Sequence, residues 1–214
     1  MQFLSAVLDL LFPPKCVFCR SLVGKCGSPC NNCKKLPFTT DIVKGEYFDI
    51  CVSPLRFEGE VRESIHRFKF NGAQQYADTY GRILARRIFE ISDNLKYDII
   101  SWPPLSRVRL RERGYDQAML LAQAVAREFD ESVTQTLVKT KNAPAQSGIS
   151  GIDARASNIS GAYEAFNPDL FAGKCVLLVD DVVTTGSTLD ECAKVLLTAG
   201  AAKIVAAAFA IAAS

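Results

Sequence analysis

Apolar residues fall into two spacings along this chain. From Tyr97 onward, short apolar runs at Tyr97–Ser101, Val133–Val138, Ala162–Phe166, Val176–Val179 and Ala202–Ala213 read as strands. Between them lie stretches with helical spacing, Asp116–Phe129 and Thr188–Leu197, the second marked by Leu189, Cys192, Ala193, Leu196 and Leu197. Continuous apolar runs suit strands covered on both faces, and the alternation predicts a parallel-sheet α/β domain with its site at the strands' carboxyl ends. Upstream, Phe48–Phe57 reads as a strand, and Glu60–Phe70 and Gln75–Ile91 as helices parted by Asn71-Gly72. Phe3, Leu4, Val7, Leu8 and Leu11 form one apolar helix face that stops at Pro13-Pro14. With the polar connector Lys34–Gly45, the pattern divides the chain into an N-terminal unit, 1–44, and an α/β unit, 45–214.

The richest stretch is Val176–Thr188, VLLVDDVVTTGST. It predicts a buried strand, two adjacent acids (Asp180 and Asp181), a hydroxyl-rich turn and a helix. Thr184, Thr185, Gly186, Ser187 and Thr188 place hydroxyls and unpaired backbone N–H groups at a helix start, where the dipole favours a phosphate. The carboxylates would repel that phosphate, so they should face sugar hydroxyls or a hydrated Mg²⁺. A phosphorylated ribose satisfies both demands. No lysine follows the glycine, which disfavours a nucleotide P-loop. An ordinary buried strand ending in a polar turn is the plain alternative. The run resembles the phosphoribosyl-pyrophosphate (PRPP) motif of type I phosphoribosyltransferases. That resemblance implies Asp180 and Asp181 on the ribose 2′- and 3′-hydroxyls, as the catalytic pair, and Thr184–Thr188 on the 5′-phosphate.

Composition adds bounds. The chain is 49% hydrophobic and 22% charged with a net charge of +2, so it is an ordinary globular chain and any nucleic-acid surface must be local. The run Ile204–Ala213 is too short to span a bilayer, so no transmembrane segment is expected. Met1–Phe12 has no basic leader, and a cytoplasmic protein is expected. Eight cysteines in such a chain point to metal before disulfides. Cys16/Cys19 and Cys30/Cys33 are two C-x-x-C units that can complete a tetrahedral Cys₄ zinc site, with Cys26 spare. A disulfide or redox pair is the competing reading. Four thiolates leave no open position, so the Zn²⁺ is expected to be structural. Lys15, Arg20, Lys25, Lys34 and Lys35 around the knuckles form either a solvated basic surface or contacts to phosphates of DNA or RNA.

Three further blocks carry a wider resemblance. Phe57-Glu58-Gly59-Glu60-Val61-Arg62 followed by Ile65-His66-Arg67-Phe68-Lys69-Phe70 is one, with His66 read as a partly buried structural histidine. Pro104–Gln117 is the second, an arginine-rich loop after a strand, placed to bind an anion such as pyrophosphate through Arg109 and Arg113. A solvent-facing arginine ladder is the alternative. The third is the long polar loop after Lys139, with Lys141, Gln146 and Arg155-x-x-Asn158-x-x-Gly161-Ala162-Tyr163. Together these resemble the ComF family, competence-related proteins joining a cysteine-rich N-terminus to a phosphoribosyltransferase-like domain.

The resemblance implies a type I phosphoribosyltransferase-like parallel sheet flanked by helices, with a small N-terminal Cys₄ zinc ribbon. It also implies PRPP with Mg²⁺ as ligand, and Lys141, Gln146 and Arg155 on a flexible loop that closes over it. The implied role is DNA uptake, with single-stranded DNA and a competence helicase or other uptake proteins as partners. Trp102-Pro103 and Ala143 depart from the family pattern, and one residue is inserted before Arg155. Those departures leave open whether the chain only binds PRPP or transfers its phosphoribosyl group to a base or amine.

Overall fold

The structure is a computed structural model that describes residues 13–91, 95–140 and 161–212. The helix expected within Phe3–Leu11 and the loop residues Lys141, Gln146 and Arg155 lie outside the described residues.

The chain enters through the cysteine knuckles and reaches β1 (Ile42–Val43), β2 (Cys51–Val52) and β3 (Leu55–Arg56). Phe48–Phe57 is therefore two short strands rather than one. Pro54 has no N–H for a ladder, and Ser53 Oγ donates to Leu55 O across the break. Helices α1 (Gly59–Phe70) and α2 (Tyr76–Glu90) follow, within a residue or so of their expected bounds, and then β4 (Ile99–Ser101).

The arginine-rich segment expected as a loop is helix α3 (Arg107–Arg113). Ser106 caps it by accepting the Arg109 N–H, and Gly114, at φ 79°, ends it in the left-handed region. Leu110 and arginine are good helix formers, and the alternation of arginines concealed this from a reading of spacing. α4 (Gln117–Glu128) starts on Asp116, whose carboxylate accepts the Met119 N–H. β5 (Leu137–Lys139) and β6 (Tyr163–Ala165) then form a separate antiparallel hairpin, Val133 making only an isolated bridge to Ile100.

β7 (Cys175–Val183), α5 (Ser187–Thr198) and β8 (Lys203–Ile211) complete the chain. The sheet order is β1-β2-β8-β7-β4, with β3 pairing the far end of β8; all pairs are parallel except the β1 edge. β7 and β8 sit in the middle and are apolar for most of their length, as two covered faces require. Leu177, Val179, Val205, Ala207 and Phe209 face α1, α2 and α4, while Val176, Leu178, Ala206 and Ala208 face α5 and the hairpin.

The knuckle segment shares the first of these cores. Phe18 is buried beside Tyr80 and Phe209, with ring centroids 6.3 and 6.4 Å away. Ser64 Oγ and the Arg67 guanidinium donate to Val17 O, and Thr79 Oγ1 donates to Gly27 O. Of the two late cysteines read as core residues, Cys192 is fully buried and Cys175 is half-buried. No helix among the described residues is long and apolar enough to cross a membrane.

Candidate functional site

β7 runs past the two acids to Val183, because β8 continues to pair with it through Ile211. Asp180 and Asp181 thus stand inside the strand's last turn of pleat rather than after it. Successive side chains of a strand point to opposite faces. Asp181 turns toward α1, where Lys69 Nζ lies 2.8 Å from its Oδ1; the pair is largely out of water, with side-chain exposures of 23% and 9%. Asp180 turns to the other face, where its charge is felt by Tyr163, Cys192 and Cys51. Burial, and then the neighbouring Asp181 charge, push the Asp180 carboxyl up to about 7; Lys69 and the N–H that Asp181 donates to it, at 2.7 Å, act against that rise.

Beyond the acids the chain makes its turn. Thr184 and Thr185 are exposed, Gly186 sits at φ 79° as the residue before α5, and the Thr185 hydroxyl accepts the Ser187 N–H at a long 3.4 Å. Thr185 Oγ1 lies 2.8 Å from Ser187 Oγ. Beyond that one long N–H bond the start of α5 can donate to an outside acceptor, with Ser187 and Thr188 hydroxyls beside it. Gly186 is required for its backbone angle, since a Cβ there would make only ordinary contacts of 3.5 Å with Phe48 and Val43.

Arg109 and Arg113 are four residues apart on α3 and so share a face, which the loop reading did not require. Burial lowers the Arg113 pKa, with Asp181 opposing and Arg109 reinforcing that effect. Its guanidinium lies 4.8 Å from the Phe70 ring centroid. The segment is held by Asp116, buried, which accepts N–H bonds from Leu105 at 2.8 Å and Met119 at 3.1 Å. Tyr115 O–H donates to Phe68 O, and Gln117 Nε2 donates to Lys69 O at 3.4 Å. These two bonds tie the end of α1 to the start of α4 and thereby aim Lys69 at Asp181.

Lys69, Tyr115, Asp116 and Gln117 stand inside the sequence blocks described above, yet spacing alone gave only Asp116 a part, as the start of a helix. It gave none to the Lys139–Tyr163 pair of the hairpin. Lys139 Nζ lies 3.0 Å from Tyr163 Oη and 4.6 Å from that ring's centroid. Burial lowers the Lys139 pKa, and Cys192 and Asp180 partly restore it. His66, expected to be partly buried, is exposed and flanked by Phe57 and Phe70. The helix face it occupies is the solvent face of α1, because Val61, Ile65 and Phe68 take the core side.

The four cysteines Cys16, Cys19, Cys30 and Cys33 converge, with all four Sγ atoms within 4.8 Å of one another. Thiolates around one tetrahedral zinc lie about 3.8 Å apart for metal–sulfur bonds of about 2.3 Å, so the cluster is of a size to hold one ion. Backbone turns shape the knuckles: Arg20 N–H donates to Cys16 O, Lys34 N–H to Cys30 O, and Cys30 N–H to Cys16 Sγ at 3.2 Å. The Cys30 thiol is pulled down to about 6, chiefly by a backbone bond at Cys33, while burial pushes Cys33 up. Cys26 is exposed and outside the cluster. Lys15, Arg20, Lys25, Lys34 and Lys35 are all exposed around it.

Comparison with known proteins places this arrangement. The phosphoribosyl transferase domain family matches residues 116–214, which include the acids, the Thr184–Thr188 turn and both strands of the hairpin. The competence protein F of Haemophilus influenzae is 34% identical over 198 residues, covering 89% of this chain and 82% of that protein. The chain belongs to the ComF family. Other ComF relatives are the DNA utilization protein YhgH of Escherichia coli, 30% identical over 86% of this chain and 82% of that protein, and the competence protein ComFC of Bacillus subtilis, 27% identical over 92% and 85%. The ComF departure at Trp102 is accommodated by burying the indole against the main core.

Proposed function

We propose that this ComF-family chain binds PRPP with Mg²⁺ and acts in DNA uptake by handling single-stranded DNA. The observation that carries the reading is the convergence, at one end of a parallel sheet, of two acids, a hydroxyl-rich helix start held by only one long side-chain bond and a two-arginine helix face. The relatives' names, competence protein and DNA utilization protein, support the cellular role.

In this reading the 5′-phosphate lies on the Thr184–Thr188 turn, where backbone N–H groups and hydroxyls donate to it. Asp180 and Asp181 accept from the ribose hydroxyls. Arg109 and Arg113 face the pyrophosphate, and Lys69 supplies the fixed positive charge beside Asp181. One carboxylate oxygen on each acid remains outside the contacts described above, a donor set that suits Mg²⁺ arriving with phosphate and water ligands. Mg²⁺, when bound, would neutralise pyrophosphate charge. Zinc in the Cys16, Cys19, Cys30, Cys33 cluster would serve folding, since four protein ligands close the coordination shell.

Titration calorimetry with the magnesium complex of PRPP tests the site. Wild-type protein should bind, and Asp180→Asn/Asp181→Asn should weaken binding at least about tenfold through lost charge-assisted hydrogen bonds. Absence of heat with the wild type would sink the reading. Pyrophosphate release measured with a panel of bases and amines separates binding from transfer. Cys30→Ser/Cys33→Ser, which removes half the cluster, should weaken single-stranded DNA binding.

A further inference from the structure

The solvent face of α1 carries a strip of two exposed rings, His66 and Phe70, and the half-buried Phe57, which packs against the main core, lies beside them. Phe70 is 63% exposed. Its ring lies 5.9 Å from that of His66, itself exposed, and His66 lies 6.3 Å from Phe57, which it meets nearly parallel at 21°. On α1, Arg62, His66 and Phe70 follow at intervals of four and share one face. Each step of four advances about 6 Å along the helix, which matches the ring spacing. Phe70 lies outside the core beside His66 and under the Arg113 guanidinium, so its ring is open to a ligand next to a fixed positive charge.

The strip ends at the PRPP crevice. Arg113 lies over the Phe70 ring, and Lys69, the residue before Phe70, pairs with Asp181. Aromatic faces therefore run alongside Arg62, Arg113 and Arg109, all outside the core. Acids are present too: Glu58, Glu60 and Glu63 are exposed near the start of α1, so the cationic side of the strip is the Phe70 end. Alternating π faces and guanidinium groups fit a strand with unpaired bases and a phosphate backbone, since every base offers a face to stack and every phosphate an acceptor for arginine. Paired DNA offers no such faces on its flank.

We infer that Phe57, His66 and Phe70 stack unpaired bases of single-stranded DNA, with Arg62 and Arg113 holding the adjoining phosphates. The site rests on the DNA-handling reading above and places base stacking on the transferase-like body, in addition to any phosphate contacts made by the cysteine knuckles. It brings the strand to the lip of the PRPP crevice, where the two ligands meet at Arg113.

Fluorescence anisotropy with a labelled oligo-dT, its abasic counterpart and the matching RNA, on the zinc-loaded full chain, decides it. Phe70→Ala should weaken oligo-dT binding at least about fivefold, while Phe70→Tyr, which keeps the ring, stays near wild type. His66→Ala should act in the same direction. The slope of affinity against salt should not change for Phe70→Ala, since no phosphate contact is removed. On the abasic strand, wild type and Phe70→Ala should bind alike. Unchanged melting transitions exclude misfolding as the cause. Phe70→Ala binding oligo-dT within twofold of wild type would overturn the strip while leaving DNA handling intact. Equal loss on the abasic strand would also overturn it. RNA preferred to DNA would overturn the choice of DNA, and a wild type that binds no strand at all would overturn both readings.

Discussion

Asp180 and Lys69 set the behaviour of the crevice at the level of single groups. A carboxyl raised to about 7 holds a proton that the unfolded chain has already released near pH 4. Folding therefore takes up a proton between those values, and the ligand-free protein should lose stability as pH rises from about 4 to about 7, then level off. Asp180→Asn should flatten that slope and stabilise the protein by on the order of 1–2 kcal/mol at pH 8, allowing for the partial exposure of the site. Urea denaturation across pH checks this. The same variant gains stability and loses PRPP, the trade expected where an acid is kept for binding. PRPP affinity should increase with pH through about 7, because the ionised acid is the better acceptor. Lys69→Met should shift that rise to higher pH, since Lys69 holds the Asp180 carboxyl down, and should cost about 2–3 kcal/mol by leaving Asp181 buried without its partner. Lys69→Arg should restore part of both.

Among the elements, the turns that aim side chains matter more than the helices and strands they join. Gly114 and Gly45 separate two kinds of glycine. At Gly114, φ is 79° and a Cβ would meet nothing within 4 Å, so Gly114→Ala should cost only the left-handed penalty, about 1 kcal/mol. At Gly45 a Cβ would lie 2.3 Å from both Asp190 Oδ1 and the Phe48 ring. Asp190 there accepts N–H bonds from Glu46 and Tyr47 and so pins the connector to the first turn of α5, next to the Thr184–Thr188 turn. Gly45→Ala should cost about 2–3 kcal/mol by crowding that joint, and denaturant midpoints of the two variants should rank accordingly. Helix α3 shows how local signals can mislead. Arginines at every second position look extended or ladder-like, yet Ser106 and Gly114 are a start and a stop at helical separation. The caps, read before the charges, would have given the helix and with it the shared face of Arg109 and Arg113.

Across the whole molecule, the cysteine segment and the α/β body hold each other. Phe18 stacks in the core beside Tyr80 and Phe209, the last two with centroids 3.8 Å apart. Phe18→Ala should destabilise the entire chain by about 3–5 kcal/mol, the cost of emptying a buried aromatic site. Chelation of the knuckle metal should lower the single thermal transition of the α/β body rather than melt a separate unit, and calorimetry with and without chelator checks this. Much of this protein is determined by its sequence alone. The apolar runs impose a covered parallel sheet because only strands between two layers can be apolar throughout. Cys16, Cys19, Cys30 and Cys33 impose a cluster because two tight turns each offer two thiols. Asp180 to Thr188 carry their chemistry in chain order because a strand, a turn and a helix start are contiguous. Tertiary structure decided the rest. Lys69 meets Asp181 across 112 positions of chain, Phe18 enters a distant core, and His66 and Phe70 are left facing water beside the half-buried Phe57, because these depend on how helices seat on the sheet. Spacing along a chain records which face a residue takes, and packing alone decides what stands opposite that face.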